Sequence, residues 1–395
     1  GPPTSKWKIW PQYPCSLKAG DGSVFDGFFE NDVYHGRGTL LQSNGDVVKA
    51  AWIAGHIVGK AKITFSNGDS FEGSMEASMF QGQGRFVDNL GGSYEGQFQR
   101  HLKHGNGTRI YSNGTRYVGT FVRGKCQGEG MKHYANGDTY VGIWEDDEPT
   151  GRGVMILAAK GDKYEGEFFR GQYCGRGRYT WSDGGFYEGD YKDPGRKAHS
   201  ASTGLRNGRG IRKWASGAVY EGGWLADEMS GEGLLTTSAE EYKGEFRRGV
   251  KHGVGEMRSG NALGMWYTCG LGFRHRGRGG YCVHRGNYAN GHYDGEGHFL
   301  CVDGKEYRGA FKKGQRHGRG NMLLCGVADR GDPSRRHVGG LNSLYRPLSY
   351  DGEWVEDERT GQGVQTSNDG GQKLAGEWDR GVLNGVATCT YSDGL

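Results

Sequence analysis

The chain has 395 residues, of which 77 are Gly and only 8 are Pro. Globular chains average about 7% Gly, so glycine is used structurally here, yet no G-X-Y triplet or Pro enrichment is present and collagen is excluded. Aromatic residues make up 12% of the chain, which argues against disorder, and a net charge of +4 is too small to imply a nucleic-acid partner. Helical apolar periodicity is missing along nearly the whole chain, and no apolar run approaches the ~20 residues of a membrane helix.

Residues 1–24 precede the periodic part. Gly1-Pro2 reads as a protease scar, and Trp7, Trp10, Pro11, Tyr13 and Pro14 form a segment suited to cap the open edge of a first repeat. From Phe25 the chain falls on a 23-residue grid: Phe25, Val48, Phe71, Tyr94, Tyr117 and Tyr140 each open a unit. Tyr164, Tyr187, Tyr220, Tyr242, Ala262, His284, Tyr307, Tyr350 and Leu374 continue the series to fifteen units, with register fraying between Tyr242 and His284. The unit at Tyr94 shows the logic. Tyr94, Gly96 and Phe98 share one strand face because strand side chains alternate, and the Gly leaves room for rings to lie across bare backbone. A turn is expected near His101-Leu102-Lys103, then a second strand through Gly105, Gly107, Ile110 and Tyr111, then a turn back at Ser112-Asn113-Gly114. A lone hairpin is marginal in water, so the units must stack to bury their rings.

Two insertions interrupt the grid, near 193–203 and near 327–348, both polar and Pro-containing and expected as exposed loops. The chain stops at Tyr391-Ser392-Asp393-Gly394-Leu395, a repeat-end turn, which reads as an excised fragment. Residues 25–395 are expected to form a single array.

Tyr164-Glu165-Gly166-Glu167-Phe168 followed by Gly171 and Gly175-Arg176-Gly177, and Tyr94-Glu95-Gly96 followed by His104-Gly105-Asn106-Gly107, resemble the MORN repeat (membrane occupation and recognition nexus). The resemblance implies an all-β fold: an elongated, twisted solenoid of stacked antiparallel hairpins, self-associating through its C-terminal repeats as a homodimer. It departs from the family pattern at Val48-Lys49-Ala50, Ala262-Leu263-Gly264 and His284-Arg285-Gly286. Such arrays occur in ciliary and protist cytoskeletal scaffolds, junctional membrane proteins, lipid kinases and a lysine methyltransferase.

No residue set points to catalysis, a cofactor or a metal. Gly-rich matches such as Gly175-Arg176-Gly177 sit between no strand and helix, so they read as repeat turns. His35, His104, His252 and His317 recur in one slot before a repeat Gly, with Cys174 in the same slot, which is a structural pattern. Cys269, His275, Cys282, His284 and Cys301 form the best metal candidate, but their spacing fits no zinc pattern and idle thiols are preferred. The eight Cys include no C-x-x-C pair, which reads as reduced thiols and a cytoplasmic setting. Arg276-Gly277-Arg278-Gly279-Gly280 resembles a lone RGG patch.

Charge position carries more information. The second residue of each unit, on the face opposite the rings, reads Asp26, Lys49, Glu72, Glu95, Val118, Val141, Glu165, Glu188 and Glu221, then Lys243, Leu263, Arg285 and Arg308. Residues 247–346 hold 18 Lys+Arg against 7 Asp+Glu. Lys243, Arg274, Arg276, Arg278, Arg285, Arg308, Lys312, Lys313 and Arg316 are therefore the candidate surface for an anionic partner, with a solvated face as the alternative. Function is expected to be a non-enzymatic scaffold or tether for proteins of a cytoskeletal or ciliary assembly. Two alternatives stand beside it: a module for anionic phospholipid such as phosphoinositide, and the regulatory arm of an enzyme whose catalytic domain lies elsewhere.

Overall fold

Most of the described repeats turn on how two glycines and one tyrosine share space. Tyr117 lies on the strand Arg116–Val122, which pairs with Lys125–His133 so that Gly119 sits directly across from Gly130. The Tyr117 ring lies over this glycine pair. A Cβ at Gly119 would stand 2.5 Å from the Tyr117 hydroxyl and 2.7 Å from Gly130 Cα, and one at Gly130 would stand 2.4 Å from the same hydroxyl. The hydroxyl donates to the Thr120 carbonyl at 3.2 Å, just where the ladder shifts register after Gly119. Tyr94, Tyr140, Tyr164, Tyr187, Tyr220, Tyr242, Tyr307 and Tyr350 donate to the carbonyl three residues on in the same way. Burial pushes the Tyr94, Tyr140 and Tyr220 hydroxyls up to about 12, so they remain donors.

The computed structural model describes residues 14–193, 204–260, 267–268, 274–275, 282–301, 304–324, 347–367 and 371–391. It divides into two units, residues 1–182 with 193–204, and residues 183–192 with 205–395. The cap residues 1–13, most of the two insertions, the Ala262 opening and the RGG patch lie outside the described residues. All described strands are antiparallel, and the described residues contain no helix long and apolar enough to cross a membrane.

In the first unit, Cys15–Lys18 pairs with Val24–Glu30, with Leu17 across from Phe25, so part of the expected cap is an edge strand. Seven hairpins follow as a meander, from Val24–Glu30 with Val33–Leu41 to Asp162–Phe169 with Gln172–Thr180. The hairpin reverses at Arg100-His101, earlier than His101-Leu102-Lys103, because a two-residue turn needs both residues left-handed and Arg100 and His101 take φ 49 and 68. The return turn is as read from the sequence: Gly114 N–H donates to the Tyr111 carbonyl and Tyr111 N–H to the Thr115 carbonyl.

The buried rings form a zigzag of edge-to-face contacts: Tyr94–Phe98, Tyr94–Phe121, Tyr117–Phe121, Tyr117–Trp144, Tyr140–Trp144 and Tyr140–Phe168, with centroids 4.9–5.2 Å apart. Each such pair contributes about 0.5–1.5 kcal/mol beyond area burial. The Trp144 indole N–H donates to the Gly130 carbonyl at 3.1 Å, which ties one hairpin to the next.

The second unit repeats the scheme in seven hairpins, from Phe186–Tyr191 with Arg206–Lys213 to Gln372–Asp379 with Val382–Tyr391. Val250–Ser259 pairs directly with Cys282–Ala289, so no strand opened by Ala262 intervenes in the ladder. The described residues of that stretch, Tyr267–Thr268 and Arg274–His275, pair only with each other. At His284 the sequence departs from the family pattern, yet the ring keeps its place in the zigzag. It packs edge-to-face on Tyr288 and Phe311, stacks on Tyr293 at 3.9 Å, and sets Nδ1 2.8 Å from the Tyr288 hydroxyl. Burial, aided by nearby His298, holds its pKa down to about 3.

Two outcomes are expected. Gly119→Ala should destabilise the first unit by about 1–3 kcal/mol through overpacking, and Tyr117→Phe by about 1 kcal/mol through the lost carbonyl bond. Urea melts followed by tryptophan fluorescence would show it, and a neutral Gly119→Ala would contradict the ring-on-glycine packing. For His284, a folded pKa below the unfolded value of 6.5 means its contribution is full above pH 6.5 and is lost as pH falls toward 3. Between pH 7 and 5 this one residue should cost the second unit about 2 kcal/mol, and His284→Phe should abolish that part of the acid sensitivity. Parallel stability–pH curves for parent and variant would count against it.

Candidate interaction surfaces

Lys243, Arg285 and Arg308 do share a face. The register places Lys243 across from Glu256, Glu256 across from Arg285, Arg285 across from His298, His298 across from Arg308, and Arg308 across from Asn321. With strands about 4.8 Å apart, the three cations recur about every 10 Å. Their charge is largely shared with acids on the same face: Arg285 Nε lies 2.7 Å from Glu256, and Arg308 bonds Glu306. Both glutamates are held below the usual carboxylate range, first by their hydrogen bonds to these arginines. Arg285, His298, Arg308 and Arg319 line one shallow depression of about 640 Å³, with Glu296 and Asp351 also on its walls.

The remaining candidates separate from this row. Lys312 and Lys313 are exposed at the hairpin tip, where Lys313 has φ 51. Arg316 is on the other face: its guanidinium stacks 4.4 Å over Trp354, Nε and the backbone N–H both donate to Asp357 Oδ1 at 2.9 Å, and its side chain is 11% exposed. Arg274 is a strand residue whose side chain is not described, and Arg276 and Arg278 lie outside the described residues. Of the metal candidates, Cys282 and Cys301 meet, with sulfurs 3.1 Å apart, while Cys269 and the His275 side chain are not described. Among the described residues no group of three potential metal-binding side chains gathers.

Sequence reasoning passed over a second surface, on the ring face of the first unit. In most described hairpins the residue across from the second ring is apolar, as with Ile57 across from Trp52, Met229 across from Trp224 and Cys126 across from Phe121. Lys103 takes this place across from Phe98 and reaches over Tyr94 and Phe121, at 5.8 and 6.0 Å from their centroids. Arg109 and Lys132 flank Tyr117 from the two neighbouring strands. Arg109 lies 4.4 Å over Tyr111, and Lys132 lies 5.1 to 5.5 Å from Tyr134, Trp144 and Tyr111. A groove of about 320 Å³ is lined by Lys103 and Arg109 together with Phe80, Phe86, Tyr94, Phe98, His101 and Asp88, while Lys132 stands outside its walls.

Of the four described cations that take the place of Lys103 in the second unit, three have a carboxylate partner, and the fourth, Arg359, stacks on Trp378 and donates to the Gln365 amide oxygen and the Gly381 carbonyl. Arg206 stacks on Trp224 and bonds Asp227, Arg316 stacks on Trp354 and bonds Asp357, and Lys251 pairs with Glu240. The partner aspartates occupy the second turn position of the following hairpin, with φ near 71. After Lys103 that position is Gly124, so the acid is missing. Lys103, Arg109 and Lys132 make no ion pair among the described residues and are half-buried against rings. The legible part of the signal was a cation facing the rings with Gly, not Asp, in the next tip, a pattern that Lys251 with Gly291 and Arg359 with Gly381 share.

Alsin of Mus musculus is 27% identical over 176 residues, which is 44% of this chain and 9% of that protein, and Alsin of Homo sapiens is 27% identical over 173 residues. The chain thus spans about a tenth of the length of these relatives. Among solved structures, the TCP10 domain of Danio rerio CPAP in complex with a STIL peptide aligns with 53% of this chain and 92% of that domain, at 10% identity and a TM-score of 0.29. The model of the MORN repeat matches 25–47, 50–70, 94–116, 117–139, 140–159, 164–186, 204–219, 220–238, 242–261, 284–306, 307–323, 350–372 and 375–395. The Phe71 hairpin is not matched, although its Gly73–Gly84 pair and stacked Phe71 and Phe80 rings follow the same scheme. With more than half of its residues so matched, the chain belongs to the MORN-repeat family.

Proposed function

We propose that this chain is a non-catalytic interaction scaffold whose first unit seats an acidic segment of a partner protein, carried by an apolar anchor. The observation that supports this most is the ring-lined groove walled by Lys103 and Arg109, with Lys132 beyond it across from Tyr117, three cations without a carboxylate partner among the described residues. Partly desolvated cations gain more from an incoming carboxylate than fully exposed ones, while rings supply apolar area at low entropy cost. The partner class we favour is a cytoskeletal protein with a Glu-rich tail. The relatives extend far beyond the matched region, so such a scaffold could equally serve as an arm of a larger protein.

A second reading has one observation in its favour. Lys243, Arg285 and Arg308 line up on the opposite face of the second unit, as an anionic headgroup array would require. Their glutamate partners weaken it, since an exposed pair already neutralises much of each charge.

Two triple variants separate the readings: Lys103→Glu with Arg109→Glu and Lys132→Glu, and Lys243→Glu with Arg285→Glu and Arg308→Glu. The probes are microtubules, which carry Glu-rich tails, and phosphatidylcholine vesicles containing a phosphoinositide. We expect the first variant to lose at least tenfold in microtubule co-sedimentation at low salt, with the second variant unaffected and circular dichroism unchanged in both. Parent binding should weaken steeply between 0.05 and 0.5 M salt, as the Debye length shortens from roughly 14 to 4 Å. Loss confined to the second variant, or binding only to vesicles, would overturn the groove in favour of the row.

A further inference from the structure

Cys282 and Cys301 sit one step beyond the Val283–Leu300 pair on neighbouring antiparallel strands, at the end of the hairpin Cys282–Ala289 with His292–Leu300. Both face the core, at 1% and 3% exposure, and their sulfurs are 3.1 Å apart. Among the described residues no other two cysteine sulfurs are in contact. Residues directly opposite on antiparallel strands have Cβ atoms about 4.5–5.5 Å apart, and a disulfide needs about 3.5–4.5 Å, so a small adjustment closes the bond. Cys301 also begins the return turn, accepting from Gly304 N–H at 3.0 Å and donating its own N–H to the Lys305 carbonyl at 2.8 Å. A hairpin end of this kind opens more readily than its middle, which gives a small oxidant a route to the pair.

We propose that Cys282 and Cys301 are an oxidisable thiol pair that closes to a cross-strand disulfide when hydrogen peroxide reaches it. The thiolate of one cysteine attacks a peroxide oxygen, hydroxide leaves, and a sulfenic acid and one water result once the protons are counted. The second thiol then attacks that sulfenic sulfur, the S–S bond forms, and a second water leaves. The two thiols are oxidised by two electrons and one peroxide is reduced to two waters. Proximity favours this ring closure over a second oxidation, because the resolving sulfur is already in van der Waals contact. The product ties the first strand of the hairpin to the end of its second strand, a reversible staple that a dithiol reductant reopens.

The test is made on the full chain with hydrogen peroxide as the only oxidant. After exposure, the protein is unfolded in denaturant, its remaining thiols are alkylated, and peptides are mapped by mass spectrometry before and after dithiothreitol. We expect two fewer alkylatable thiols per chain, and a Cys282–Cys301 linked peptide lighter by two hydrogens that dithiothreitol splits. Cys282→Ser and Cys301→Ser should each abolish the linked peptide and leave a sulfenic or sulfinic acid on the remaining sulfur. The parent map stands even if a serine variant folds poorly. Linkage of Cys282 to another cysteine, or oxygen added to either sulfur of the parent with no bond between them, would overturn the proposal.

Discussion

A tyrosine ring lying over two glycines is the contact on which this protein depends. The sheet can bring strands together almost anywhere, but only where Gly faces Gly is there room for a ring against the backbone, as at Gly119 and Gly130 beneath Tyr117. The hydroxyl then bonds the carbonyl at the register shift, so one side chain fills space, fixes register and satisfies a backbone acceptor. Register errors move every side chain to the wrong face. A ring that fits in a single position is therefore a strong specifier, and the repeated motif makes most of the described hairpins carry their own.

With the core given over to rings, each hairpin keeps a small number of positions free to vary, and these are where function can be written. The position across from the second ring is one. An apolar side chain there extends the core; an arginine there stacks on tryptophan and, at Arg206 and Arg316, is neutralised by an aspartate from the next hairpin's tip. Lys103 has the cation without the aspartate, because Gly124 holds the tip. Gly also holds the tip after Lys251 and after Arg359, at Gly291 and Gly381, but Lys251 pairs with Glu240 and Arg359 bonds Gln365 and the Gly381 carbonyl, so Lys103 stands apart in having neither the tip aspartate nor another ion-pair partner among the described residues. On the opposite face the second-position row varies as well, from Lys62 and Glu72 to exposed Val118, Met131 and Val141, and then to the alternating charges around Arg285.

Much of this was legible in the 23-residue grid. Alternation put Tyr94, Gly96 and Phe98 on one face, and the need to stack hairpins gave the antiparallel meander. Four things were not. Arg100 in a left-handed turn conformation gave no glycine to mark the reversal, so the turn was placed too late. Ala262 read as an opening residue in the frayed part of the grid, but sequence spacing does not reveal that Val250–Ser259 passes directly to Cys282–Ala289. Arg316 was grouped with Arg308 by proximity in sequence, whereas it lies on the ring face. The groove at Lys103 escaped because net charge was counted by segment, and a cation's role here is decided by which face it takes and by the residue in the following tip.

Zero-length crosslinking of lysine to carboxylate, mapped by mass spectrometry on the full chain bound to microtubules, tests the interaction surface most directly. The account predicts crosslinks from Lys103 and Lys132 to the acidic tails. Crosslinks confined to Lys243, Lys312 or Lys313, with Lys103 and Lys132 untouched, would contradict it.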